Sequence, residues 1–193
     1  HDFNIVGGVL QYFDIEKNIQ LVKKIFPKTK EYCLLTDNSL GGVTMQALVK
    51  DKIRGMQNLK MSYIDGRTMS FNDMLRKIKS LPQTTALLLG TWRVDCNENF
   101  VVSNSSAKIR EANPNIPMFS LSGAGMDNLA IGGYYPDFRH DDERLADICI
   151  SYLENFEAQG LVYISNSFNF DYRRLQDFHL AENLLPDDCN VLN

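Results

Sequence analysis

Short apolar runs that alternate with helical segments constrain the fold of this chain more than any other feature. The runs are Tyr32–Thr36, Ala86–Leu89 and Pro117–Leu121, and a more mixed strand is predicted at Leu59–Ile64. Runs without polar alternation are typical of strands buried on both faces. Strands that alternate with helices form right-handed crossovers. The sequence therefore predicts an α/β fold with a mainly parallel sheet and helices on both faces, although it does not predict the strand order.

The segments between the strands carry apolar residues three or four positions apart, which is the spacing of one helix face. Asp14 and Ser70 stand before two of these segments as N-caps. The predicted helix faces are Ile15, Ile19, Val22 and Phe26; Met45, Leu48, Val49, Ile53 and Met56; and Phe71, Met74, Leu75 and Ile78.

Further elements are expected outside this repeating core. Additional strands are predicted at Phe3–Tyr12, Leu129–Tyr135 and Leu161–Ser165, and further helices at 103–112 and 141–156. The tail from Phe168 to Asn193 is predicted to be irregular, with one short helix near Tyr172–Phe178.

Length and charge limit the possible partners. The chain has 193 residues and a net charge of −4, which fits one domain, or one domain with an appendage. No basic stripe is present, so no nucleic-acid partner is expected. The apolar runs are too short to cross a bilayer. Of the four cysteines, Cys33 and Cys149 lie in apolar patterns as small buried residues, and the spacing leaves a Cys149–Cys189 disulfide open.

The candidate site is predicted from the fold. In open parallel sheets, ligands bind beyond the carboxyl ends of the strands. This rule selects four loops, Thr36–Gly42, Asp65–Thr68, Thr91–Arg93 and Ser120–Gly125. The candidate ligand-binding residues in them are Asp37, Asn38, Ser39, Asp65, Thr91, Trp92, Arg93 and Ser120. Two alternatives stay open: Trp92 stacks on a ring or covers the sheet edge, and Asp37–Ser39 bind ligand or only cap a helix.

Patterns for catalysis are missing. The glycines of 38–44 lack the lysine of a phosphate-binding loop, Ser122–Gly125 has only part of a dinucleotide fingerprint, and no nucleophile elbow is present. His140 and His179 fit a solvated surface, and Asp141–Glu143 fits a helix N-terminus better than a metal site. We therefore predict a binding module with no catalytic residues, no metal and no cofactor. A flavodoxin-like enzyme is the less favoured alternative.

Several motifs, in order, resemble one family. Asp14–Pro27, Asp37–Gly42, Ala130–Gly133, Asn169–Leu175 and Leu185–Asp188 are similar to segments of the periplasmic-binding-protein-like sensor domains of bacterial membrane histidine kinases. The order is kept along the chain, with Gly8-Val9 before the first segment, Ala86–Arg93 in the middle and a helix from Glu143.

The resemblance implies a three-layer α/β/α, Rossmann-like lobe of a type I periplasmic binding fold, with a small ligand held between two lobes. It implies that residues 1–135 form a ligand-binding lobe, that 136–160 hold a helix for a missing first lobe, and that 161–193 return to the lobe. The implied hinge residues are Gly7, Gly8, Gly132 and Gly133.

The resemblance also implies a parent protein and a location. The parent is expected to be a membrane-anchored two-component sensor histidine kinase, with this domain on the periplasmic face of the inner membrane. The alternative is a solute-binding protein of an ABC transporter. The ligand class is left open among sugars, amino acids, nucleobases and peptides.

Without a first lobe, the face of Leu145, Ile148, Tyr152 and Phe156 is expected to be exposed. An apolar patch of that size usually finds a partner. We therefore expect the isolated chain either to form a homodimer or to pack this helix onto its own sheet.

Overall fold

The computed structural model describes residues 7–100, 104–136, 141–155 and 160–193. The strands are β1 (Gly7–Leu10), β2 (Glu31–Thr36), β3 (Met61–Asp65), β4 (Thr85–Leu89), β5 (Met118–Ser120), β6 (Gly132–Pro136), β7 (Gly160–Tyr163), β8 (Asn166–Asp171) and β9 (Cys189–Leu192). The helices are α1 (Ile15–Ile25), α2 (Leu40–Ile53), α3 (Phe71–Lys79), α4 (Ser105–Ala112), α5 (Asp141–Asn155) and α6 (Tyr172–Asp177), with a 3-10 turn at Glu182–Leu184.

Seven strands form the main sheet, in the order β3-β2-β4-β5-β6-β8-β9. Neighbouring strands run parallel except for β6 and β8, which are antiparallel. The prediction of a mainly parallel sheet is therefore confirmed. The strand order reverses at β2, because the chain moves outward from β2 to β3 and then crosses back to β4 on the other side.

Helices cover both faces of this sheet, as the unbroken apolar strands predict. In β2, Tyr32 and Leu34 pack with α1, α2 and α6, whereas Cys33 and Leu35 pack with α3 and α4. Each of these side chains is buried, and complete burial of a leucine contributes about 2 kcal/mol relative to exposure. The three-layer α/β/α prediction is confirmed.

The prediction of an irregular tail is wrong. It contains β8 and β9, which extend the main sheet beyond β6. β8 is antiparallel to β6 and alternates polar residues with Phe168 and Phe170, so it lacks the unbroken apolar run that marks the inner strands. The predicted strand Leu129–Tyr135 is also corrected, because only Gly132–Pro136 is extended and the residues before it form a buried turn.

A separate two-stranded sheet pairs β1 with β7 in parallel, with Gly7 opposite Gly160. Helix α5 packs on β1, and Ile148 is buried there against Gly7. Leu145 and Tyr152 remain exposed, as expected, whereas the expectation that Ile148 is exposed is wrong. The helix thus lies on this small sheet rather than on the main one.

Some predicted features lie outside the described residues, namely His1, residues 3–6 of the first strand, His140 and Phe156. All four cysteines are free thiols, so Cys149 and Cys189 are not bridged. Cys33 is buried as predicted, whereas the prediction of a buried Cys149 is wrong because its side chain is exposed on α5.

Candidate functional site

The candidate site lies at the carboxyl edge of the main sheet, where the strand order changes direction. The strand order reverses between β2 and β4, so the crossovers after these two strands depart to opposite faces of the sheet: α2, which follows β2, lies on one face, and α4, which follows β4, lies on the other. A crevice at such a switch point is where open α/β sheets bind ligands. The loops that follow β2 and β4 border it.

Asp37, directly after β2, connects these two loops. Its Oδ1 accepts hydrogen bonds from the backbone N–H of Ser39 (3.1 Å), the Ser39 hydroxyl (2.6 Å) and the Thr91 hydroxyl (2.7 Å). Its Oδ2 accepts from the backbone N–H groups of Arg93 (2.5 Å) and Val94 (3.3 Å). The side chain is buried, so the carboxylate holds the two loops together from within.

The environment of Asp37 favours its charged form. Burial alone raises the pKa of a carboxyl group, but the hydrogen bonds from Ser39, Arg93 and Thr91 outweigh that effect and lower the pKa of Asp37 below its ordinary value. Asp37 is therefore an ionised structural anchor at neutral pH.

Two glycines make room for this anchor. A side chain on Gly42 would collide with the Asp37 carboxylate, and a Cβ on Gly66 would come within 2.7 Å of the Asp37 Cα. The glycines after β2 and β3 thus allow the close approach of the loops, which is one use of glycine next to a binding edge.

Ser39 caps helix α2. Its hydroxyl accepts a hydrogen bond from the backbone N–H of Gly42 at 3.1 Å while donating to Asp37. Of the two alternatives for Asp37–Ser39, helix capping is therefore observed. Ser39 is the capping residue, and Asp37 holds the Ser39 hydroxyl in place.

Asp65, at the end of β3, is engaged by its own loop. Its carboxylate forms an ion pair with Arg67 (2.5 Å), whose guanidinium also donates to Gln46 on α2. The Arg67 hydrogen bonds lower the pKa of Asp65 to about 2. Asp65 therefore contributes a fixed negative charge that Arg67 already balances.

Trp92 and Ser120 point into the protein. The Trp92 side chain is 9% exposed, packs in the cluster that contains Ile109, and donates from Nε1 to the Ser105 hydroxyl at 3.1 Å. Ser120 is completely buried. This geometry leaves Trp92 little surface on which a ligand ring could stack.

Arg93 and Asn38 are the predicted site residues that offer free polar groups. The Arg93 side chain is exposed, and within the described ranges neither it nor the Asn38 amide has a hydrogen-bond or ion-pair partner. The Asn38 backbone N–H donates to the carbonyl oxygen of Val94, the residue after Arg93, at 2.9 Å, so the two backbone segments meet at this edge.

Sequence reasoning missed two apolar residues at this edge. Leu40 begins α2, and Phe100 lies opposite Val94 in the loop after β4. Both are widely exposed. The sequence pattern sets both residues apart from the core. Leu40 does not lie on the helix face formed by Met45 and Val49, and Phe100 follows a polar stretch.

The predicted hinge glycines lie in strands. Gly132 and Gly133 belong to β6, where a Cβ on Gly133 would collide with the carbonyl oxygen of Ser120 and one on Gly132 with the Phe170 ring. Gly7 and Gly8 belong to β1, next to Ile148 and Leu161. Close packing thus accounts for these glycines independently of a hinge, which stays a prediction.

Among the described residues, no cluster of three or more histidine, cysteine or acidic side chains could hold a metal ion. In the same part of the chain, every helix is too short or too polar to cross a bilayer.

No protein-family model matches the chain, and no curated protein is similar to it in sequence. Its fold is similar to that of several solved structures. A substrate-binding protein with adhesive properties from Clostridium difficile, in a ligand-free open form, is 13% identical with a TM-score of 0.71 and covers 97% of this chain. A conserved domain protein from Vibrio cholerae is 14% identical with a TM-score of 0.69 and covers 96%.

An ABC domain from Streptococcus pneumonia, in complex with L-Trp, is 12% identical with a TM-score of 0.64 and covers 91% of this chain. The chain spans 62%, 62% and 61% of the lengths of the three solved proteins, in the order given. At these identities the likeness concerns the fold, and two of the three proteins are described by their ability to bind a small molecule or substrate. The predicted periplasmic-binding-type lobe is therefore confirmed as a fold.

Proposed function

We propose that this chain is one lobe of a two-lobed receptor that binds a small molecule outside the cytoplasmic membrane. The observation that carries the proposal is the carboxyl edge at the switch point, where the Arg93 and Asn38 side chains have no hydrogen-bond or ion-pair partner among the described residues, in a fold similar to that of a substrate-binding protein. In this proposal the loops after β2 and β4 form one wall of the ligand cleft.

The exposure of the small β1–β7 sheet favours the proposal of a second lobe. A two-stranded parallel sheet is not stable by itself, and parallel strands are normally covered on both faces. Here Leu153 and Tyr163 are 74% and 72% exposed, and Leu161 is half exposed. We infer that a first lobe covers this unit, which agrees with the chain's spanning about three fifths of the similar structures.

A ligand that binds the closed state more tightly than the open state would shift the two lobes towards closure. The movement of the lobes would then carry the signal to the rest of the protein. We propose a membrane-bound two-component sensor histidine kinase as the parent, from the sequence resemblance. The alternative is a solute-binding protein of an ABC transporter, which the names of the similar Clostridium and Streptococcus proteins favour.

A binding measurement on the parent protein separates these roles. A ligand found by thermal shift should change the autophosphorylation rate of the intact membrane protein if the domain is a sensor. If the ligand is bound and no kinase activity responds, whereas uptake of the same compound fails when the gene is removed, the transporter alternative is correct. Turnover of the compound that is lost in Arg93→Gln would instead indicate an enzyme.

A further inference from the structure

Two of the most exposed large apolar side chains lie at the carboxyl edge. Leu40 is 85% exposed and Phe100 is 79% exposed. Isolated apolar residues on a surface are ordinary. These two differ because they follow neighbouring strands, β2 and β4, at the switch point where a ligand is expected.

The backbone brings these residues together around one point. The Asn38 N–H donates to the Val94 carbonyl oxygen (2.9 Å), and Val94 forms an antiparallel bridge with Phe100. Leu40 follows Asn38 by two residues, and Arg93 precedes Val94. The Asp37 carboxylate fixes this arrangement by accepting from the Arg93 N–H.

The Arg93 guanidinium is exposed and forms no ion pair with any of the described residues. Arg67 and Arg174 pair with Asp65 and Asp177. Within the described residues, Arg93 has no such partner. A free guanidinium fork fits a carboxylate or phosphate in two-point contact.

We propose that Leu40, Arg93 and Phe100 select a small organic anion with an apolar body. This proposal rests on the function proposed above. The guanidinium binds the anionic group, and the two apolar side chains cover the body of the ligand. A neutral sugar has no anionic group for the guanidinium, so the ligand class that the sequence leaves open becomes narrower.

The test uses three simple probes in amide chemical-shift titrations of the chain. 3-Phenylpropionate carries both features, 3-phenylpropionamide lacks the charge, and propionate lacks the ring. We expect 3-phenylpropionate to bind at least about tenfold more tightly than either of the others. Its shifts should concentrate at residues 38–42 and 91–100.

The variants separate the two contacts. Arg93→Gln should abolish the preference for the acid over its amide, and the double variant Leu40→Ser, Phe100→Ser should abolish the preference for the ring. The exposed residues Arg173 and Leu153 provide controls, because Arg173→Gln and Leu153→Ser should leave both preferences intact.

Three results would overturn the inference. The acid and its amide bind with equal affinity, the acid does not bind, or the preference for the acid survives in Arg93→Gln. Discovery of a neutral ligand whose affinity is unchanged in Arg93→Gln would overturn it while leaving the proposed function standing. Failure of any compound to bind any form of the protein would remove the proposed function itself.

Discussion

At the scale of single residues, the Asp37 carboxylate holds the candidate site together. It accepts five hydrogen bonds from two loops and is buried. Asp37→Asn replaces one acceptor oxygen with a donor, so buried donors lose their partner. We expect the free energy of unfolding to fall by about 3 kcal/mol, measured by urea denaturation.

Asp51→Asn is the matched control for this change, because Asp51 lies on the exposed surface of α2. It should alter the free energy of unfolding by less than about 0.5 kcal/mol. Similar losses for the two variants would contradict the role assigned to Asp37.

Asp65 gives a pH dependence with a defined sign. The Arg67 hydrogen bonds lower the pKa of Asp65 to about 2, below its ordinary value of 3.8. A lowered pKa in the folded state contributes stability that is present above the unfolded pKa and is lost as pH falls from 3.8 towards 2. Asp65→Asn should therefore lose less stability than the wild type over this range in urea denaturation. Parallel curves would contradict the prediction.

Sequence reasoning predicted which loops meet at this edge. The rule that ligands bind beyond strand ends selected loops that lie together in the structure, because parallel strands end together, and ligand binding by their residues stays a prediction. The long-range bonds of Asp37 to Thr91 and Arg93 span more than fifty residues and have no local signal. For the same reason, burial of Trp92 followed from its packing with Ile109 rather than from its own loop.

At the scale of elements, β6 depends on close packing against β5. A Cβ on Gly133 would collide with the carbonyl oxygen of Ser120, which is backbone and cannot move aside alone. Gly133→Ala should lower the free energy of unfolding by about 2 kcal/mol in urea denaturation. The control is Gly55→Ala, since nothing lies within 4 Å of a Cβ at that position. An unchanged stability of Gly133→Ala would show that β6 shifts freely.

The inner strands could be predicted because burial on both faces leaves unbroken apolar runs. The stripes of α1 and α3 were equally clear, since one face of each is buried. β8 and β9 were missed because their pairing depends on the distant strand β6, and Phe168 and Phe170 alternate with polar residues. Local pattern predicts an element well where its own side chains face the core in a regular period, and poorly where its position depends on pairing with a distant strand.

At the scale of the whole molecule, the β1–α5–β7 unit should be the least stable part of the isolated chain. It has two strands, one packed helix, and exposed side chains at Leu153 and Tyr163. Few buried apolar contacts lead to local opening at low free energy. In hydrogen exchange, amides of β1 and β7 should exchange much faster than those of β2 and β4. Equal protection would contradict the inference that this unit lacks its cover.

We propose that a small molecule binds at the carboxyl edge of this lobe and is enclosed by a second lobe. The most direct test is a thermal-shift screen with a metabolite panel, on the 193-residue chain and on a longer form that carries a first lobe before it. A bound ligand stabilises the folded state by about 2.7 kcal/mol at a hundredfold excess over Kd. We predict a compound that raises the Tm of the longer form and has a much smaller effect on the 193-residue chain. A compound that stabilises both forms equally would show that this lobe binds its ligand alone and would contradict the two-lobed account.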